Sequence, residues 1–342
     1  MEFLRIGIIG AGGNTRLRHL PGFLACKGVE PKVVCNRSRE SSEKVAQEFG
    51  IPEVAGHWRE VIEHPEVDAV CIGTWPSTHA EMTIAALDAG KHVLCEARMA
   101  ADLPQAQRML DASRRHSALV AQLVPSPLSL DMDTRVARCL AEHTLGELQE
   151  VYVCHTFADY QDPDEPLPWR LDRRLSGVNA LTLGILHEMV QRWIPGEPEV
   201  QHACAGIFTQ NRLDESCGER VHVELPESLD IVANYEGGPR LVYHISGVDA
   251  APPRLEVRIN GTTGSLFIDL ARQAITIFGA GTESGEILEV PQDQKRGWQV
   301  EADFVASIRE GLPVALTEFD TGVRYMRFSQ AVDDAWRCGK GM

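Results

Sequence analysis

Hydrophobic positions in the first third of the chain come in short runs, separated by stretches with helical spacing. Residues 4–9 form an apolar run interrupted only by Arg5 and Gly7, which predicts a strand. Runs at 30–35, 67–72, 91–95 and 118–124 predict four more. Between them, helical spacing runs from Asn14 through His19, Phe23 and Leu24, over 39–49 and 58–63, up to Ala89, and over 102–116. Gly90 reads as a helix stop. Strands alternating with helices predict a parallel sheet, whose ligands gather just past the carboxyl ends of the strands. Val124-Pro-Ser-Pro127 reads as a hinge, so the expected division is a dinucleotide-binding domain over 1–124 and a second domain over 125–342. In that second part, 131–142 and 181–193 read as helices and 147–156 as a strand, while 159–175 is a polar, proline-rich loop carrying Trp169. Residues 200–290 switch to period-two alternation with turns, which predicts an antiparallel sheet of about five or six strands. Two helices, near 298–310 and 319–338, follow.

The first strand ends in Gly10-Ala11-Gly12-Gly13-Asn14-Thr15 and opens a helix. In that context Gly10 permits a tight turn, Gly12 lets backbone approach a pyrophosphate, and N–H groups at the helix start hold the anion. Thr15 stands where the motif has Gly or Ala. The second strand ends in Asn36-Arg37-Ser38 rather than in an acidic residue, which favours the 2′-phosphate of NADP over NAD. Thr74, Trp75 and His79 follow the third strand and Glu96 the fourth, so they join the predicted cofactor set. The net charge of −16 and the lack of a basic cluster exclude nucleic-acid binding. No apolar run is long enough to span a membrane and no signal peptide is evident, so a cytoplasmic location is expected. The nine cysteines show no C-x-x-C pair, which points to reduced thiols and to no metal site.

With these pieces in place, the chain resembles the glucose–fructose oxidoreductase/inositol dehydrogenase (Gfo/Idh/MocA) family. The likeness rests on 6–13, 34–38, 74–79 and 89–96, on Trp169-Arg170 and Ser176-Gly177, and on 304–313 and 317–322. It implies a Rossmann domain followed by an α/β domain with a large, mostly antiparallel open sheet that forms homodimers or homotetramers. It also implies a nicotinamide cofactor and a small sugar or polyol substrate. The family's Glu-Lys-Pro is here Glu96-Ala97-Arg98, without the lysine. Aligned on Gly177 and Gly184, Thr182 and Leu186 occupy the family's Asp and His positions, and His187 falls one residue late.

The expected function is therefore hydride transfer at a sugar-like hydroxyl or carbonyl by an NAD(P)-dependent oxidoreductase with an altered catalytic set. His187 is the predicted replacement base, since imidazole titrates near neutrality, and its other reading is a partly buried helix histidine hydrogen-bonded to a neighbour. Arg98 and Arg170 are predicted to bind substrate oxygens, and Glu188 to orient His187 or face solvent. Asn179, Thr182, His155 and Tyr160 are further candidates. Two alternatives stand beside this reading: a catalytically silent nucleotide-binding sensor or structural partner, and a redox-assisted lyase or glycosidase.

Overall fold

A computed structural model describes residues 3–339. The chain divides into two compact units: residues up to Pro125 together with Gln299–Met326, and Ser126–Trp298 together with Arg327 onward. The first parting lies one residue from the expected boundary, but Gln299–Met326 group with the first unit, not the second. Hydrogen bonds account for that return. The Leu123 amide donates to the Thr317 carbonyl at 2.9 Å, and the Met99 amide to the Tyr325 hydroxyl at 2.5 Å.

In the first unit, strands β1 (Leu4–Ile9), β2 (Val29–Cys35), β3 (Glu53–Val54), β4 (Ala69–Ile72), β5 (His92–Cys95) and β6 (Ala121–Leu123) form one parallel sheet. Its order is β3-β2-β1-β4-β5-β6, with β3 an addition to the expected strands. Helices α1 (Leu20–Ala25), α2 (Arg39–Phe49), α3 (Trp58–Glu63), α4 (Pro76–Asp88) and α5 (Leu103–Arg115) connect the strands. Leu4, Ile6, Ile8 and Ile9 are all buried, as both faces of a parallel sheet must be. Gly7 interrupts that run because a Cβ there would lie 2.5 Å from the Val61 side chain of α3. Strand order reverses between β1 and β4, and a crevice for ligands opens at that switch.

The second unit contains α6 (Asp133–Ala141), α7 (Arg173–Ser176) and α8 (Leu183–Trp193), with strands β7 (Leu148–Thr156), β8 (Glu199–Gly206), β9 (Asn211–Asp214), β10 (Glu219–His222), β11 (Ser228–Asn234), β12 (Arg240–Ser246), β13 (Arg254–Gly261), β14 (Gly264–Asp269), β15 (Ala274–Gly279) and β16 (Glu286–Ile287). Eight of these strands form a sheet ordered β16-β15-β14-β13-β7-β12-β11-β8, while β9 and β10 pair apart. The sheet is larger than the pattern suggested, and β7 runs parallel to β12 within an otherwise antiparallel array. Parallel pairing across a long connection leaves no local signature, so alternation alone could not place β7. Helices α9 (Val300–Glu310) and α10 (Phe319–Cys338) close the chain. Phe328, Val332 and Trp336 of α10 join the core that α6 and α8 form with Val151, Val153, Tyr243 and Val257.

Candidate functional site

The glycine turn leaves β1 with Gly10 at φ +82°, where a Cβ would lie 2.8 Å from the Gly73 carbonyl oxygen. Gly12, Gly13 and Asn14 are exposed at the start of the helix, and a Cβ on Gly13 would meet only open space. Neither the opening turn Thr15–His19 nor α1 carries an acidic residue in its first turn, so nothing within them repels an anion. Thr15 corrects the expectation for its side chain. It is 1% exposed and donates to the Gly10 carbonyl at 3.0 Å, so it braces the turn from inside.

Asn36 likewise spends its side chain on the protein. Its Oδ1 accepts from the Ala11 amide at 2.6 Å, and its Nδ2 donates to the Ser41 hydroxyl at 3.0 Å. The Ser38 hydroxyl caps α2 by accepting from the Ser41 amide at 3.2 Å. Arg37 stays exposed, with its guanidinium carbon 5.6 Å from the Trp75 ring centroid. At the exit of β4, the Thr74 and Thr78 hydroxyls are 2.7 Å apart. His79 is a second correction. It is wholly buried, with ring nitrogens 2.9 Å from the Arg98 carbonyl and 3.1 Å from the Thr74 carbonyl. Desolvation pushes its pKa down against those hydrogen bonds, and the ring braces two strand exits from inside rather than contacting the cofactor.

At the exit of β5, Glu96 accepts from the Ala97 amide at 3.0 Å and from Asn14 Nδ2. It also meets His19 Nε2 at 3.0 Å, and His19 Nδ1 lies 2.5 Å from Glu301 of α9. Sequence reasoning missed His19 and Glu301 as members of this cluster. His19 was legible as the polar member of a buried helix face, whereas Glu301 carried no local signal. Arg98 is 3% exposed, its guanidinium enclosed.

In the second unit, His187 is wholly buried in the core. Its ring stacks on Phe328 at 3.8 Å, and Nδ1 lies 2.8 Å from the Tyr243 hydroxyl. Desolvation pushes its pKa down to about 3. This placement contradicts the expected base role: a group sealed in an apolar core cannot exchange a proton with substrate. Glu188 does not orient it. That carboxylate accepts from the Ser126 amide at 2.8 Å and is also bonded to Arg192. Arg170 is exposed, its guanidinium carbon 4.3 Å from the Trp169 centroid, while Asp172 pairs with Arg174. His187 and Arg170 therefore do not form one constellation. Asn179 is buried and donates to the Ser176 carbonyl, and Tyr160 is buried beside Phe157. His155 differs from all of these. It lies half-buried at the end of β7, on the same sheet face as Val151 and Val153. Its Nδ1 is 2.8 Å from the Thr182 hydroxyl at the start of α8. Desolvation lowers its pKa and the nearby Asp159 opposes that, so the ring is neutral at physiological pH.

A family model described as an oxidoreductase family with an NAD-binding Rossmann fold matches residues 4–123, and the Gfo/Idh/MocA C-terminal domain matches residues 134–267. An uncharacterized oxidoreductase of Rhizobium meliloti is 32% identical over 346 residues, covering 97% of this chain and 96% of that one. A levoglucosan dehydrogenase of Pseudarthrobacter phenanthrenivorans is 26% identical over 226 residues, which is 64% of this chain but only 58% of that relative's length. A solved levoglucosan dehydrogenase, in complex with NADH and L-sorbose, has the same fold with a TM-score of 0.84, at 21% identity over 98% of this chain and 97% of that one. The chain belongs to the Gfo/Idh/MocA oxidoreductase family.

Proposed function

We propose that the protein is an NAD(P)-dependent oxidoreductase that moves a hydride between its cofactor and a hydroxyl or carbonyl carbon of a sugar-like or polyol substrate. One observation carries this reading: a glycine turn at the switch point of a parallel sheet, open where a pyrophosphate binds and free of acid in its opening turns. These residues fit a dinucleotide. Gly12, Gly13 and Asn14 offer backbone to the pyrophosphate, and Glu96 offers a carboxylate to a ribose hydroxyl. The bound nicotinamide supplies the hydride acceptor or donor.

NADP is the preferred cofactor, with NAD the alternative. Arg37 supports this, because it stays exposed beside Trp75 while Asn36 and Ser38 are committed to the protein. The acid/base role passes from His187 to His155. A hydroxyl both donates and accepts, so Thr182 can hold the imidazole in either tautomer and leave Nε2 to take or return the substrate proton. Arg170 remains the cation for a substrate oxygen, whereas the enclosed Arg98 is assigned to structure. The second unit binds substrate and forms the homodimer or homotetramer, and the protein works in the cytoplasm. The scattered, unpatterned cysteines support that location.

The test is reduction of NADP⁺ against a panel of polyols and sugars that includes levoglucosan. Turnover by the parent, lost in a folded His155→Ala variant and kept in His187→Ala, supports the assignment. A competing reading, a silent nucleotide-binding sensor, is favoured by Ala97 and by the burial of His187. Nucleotide binding without hydride transfer to any carbonyl or from any alcohol would select it.

A further inference from the structure

The first unit buries a histidine between two carboxylates far apart in the chain, Glu96 after β5 and Glu301 in α9. His19, wholly enclosed, directs Nδ1 at Glu301 Oε1 at 2.5 Å and Nε2 at Glu96 Oε1 at 3.0 Å. Glu96 also accepts from Asn14 Nδ2, at the exposed start of the helix that follows the glycine turn. The packing is built around this arrangement. A Cβ on Gly22 would lie 2.6 Å from the Glu301 carboxyl carbon, so the glycine leaves the passage through which that side chain reaches His19.

We infer that His19 is the positioning residue of the dinucleotide site: clamped by Glu301, it holds Glu96, and through it Asn14, in the orientation that receives the cofactor. This role rests on the dinucleotide reading above. Its chemistry follows from the donor count. An imidazolium donates through both nitrogens and satisfies both carboxylates, whereas a neutral ring donates once and turns a lone pair on the other. Burial alone would strip the proton, but the hydrogen bonds to Glu301 and Glu96 outweigh it and hold the pKa up at about 9. Burial also pushes the Glu96 pKa up, and its contacts with His19 and Asn14 more than reverse that. Other titratable groups sense the same carboxylates: Cys71 of β4 senses both, and Cys26 after α1 senses Glu301 with Arg309 opposing. Burial above all pushes both thiols up, with the carboxylates adding to it, so both stay neutral beside the imidazolium.

The experiment is calorimetric titration of the full chain with NADP⁺ and NAD⁺ from about pH 7 to about pH 10. It compares the parent with His19→Gln, Glu301→Gln and Gly22→Ala, each checked for fold by circular dichroism. Side-chain ¹⁵N NMR of the parent reads the His19 protonation state directly, whether or not a variant folds. The expected result is a doubly protonated His19 ring at neutral pH. Affinity should weaken roughly tenfold as that proton leaves, and by a similar factor in folded Glu301→Gln at neutral pH, the loss typical of one charged hydrogen bond. His19→Gln should remove the pH step. A neutral His19 ring at pH 7, or folded variants that bind like the parent, would overturn the positioning role while leaving the cofactor site intact. Failure of the parent to bind either nucleotide would overturn the dinucleotide reading itself, and this role with it.

Discussion

His187, His155 and His19 carry one side chain into three environments, and the chemistry follows the environment. His187 shares a helix face with Leu183, Leu186 and Val190, at the i, i+3, i+4 and i+7 spacing of a buried stripe. That spacing was legible in the sequence, and a helix histidine hydrogen-bonded to a neighbour is the reading of His187 that the structure bears out. His187→Ala should unstack Phe328 and leave a cavity, costing about 2–4 kcal/mol in a thermal or denaturant melt. His155→Ala should instead leave the melt nearly unchanged and lower turnover by about 10²–10⁴-fold, the range of general acid–base catalysis. The buried pair also shapes stability against pH. His19 binds its proton more tightly when folded, at about 9 against 6.5, so its stabilisation is complete below pH 6.5 and is lost as pH rises through 9, by about 3 kcal/mol. His187 does the reverse. Its folded pKa is depressed to about 3, so stability is lost as pH falls from 6.5 toward 3. Melts across this range should peak near neutrality, and His187→Ala should flatten the acid limb alone. Glu301 lies 282 positions from His19, and no local pattern exposes a pairing that distant.

At the scale of elements, the glycine turn and the strand–helix alternation of the first unit were legible because each is a local pattern. Thr15 shows the limit of a motif: the residue that departs from glycine is the one facing inward. The loop before α7 was legible as polar and proline-rich, but not how it is held. Arg212 of β9, 1% exposed, donates to the carbonyls of Tyr160 at 2.6 Å, Asp162 at 2.7 Å and Glu165 at 3.1 Å, and pairs with buried Glu227 at 2.9 Å. Glu227 also accepts from the Phe208 and Thr209 amides. A long, charged side chain thus replaces the missing secondary structure of the loop. Arg212→Met would leave Glu227 buried without its cation, at a cost of about 3–5 kcal/mol. The melt should show that loss, and hydrogen exchange should quicken across 158–168 first. Uniform exchange with an unchanged melt would contradict the staple.

For the whole molecule, charge and fold class were set by composition and alternation. The strand count and the return of Gln299–Met326 to the first unit depend on pairing between distant segments, which periodicity does not encode. Among the described residues, no helix is long and apolar enough to cross a membrane. On the sheet face opposite its buried residues, Val242, Tyr152, Arg258, Phe267 and Thr276 stand side by side in register across five strands. Two aromatic rings and a valine, flanked by Arg258 and Thr276, suit the proposed burial against a second copy, and light scattering should then find Tyr152→Glu smaller than the parent. The central claim, a working dinucleotide site in the glycine turn, is tested most directly by calorimetric titration of the purified chain with NADP⁺ and NAD⁺, alongside Arg37→Ala. Saturable binding of NADP⁺ is expected, weakened roughly tenfold or more by the loss of Arg37, with NAD⁺ little affected. Binding of neither nucleotide would contradict it.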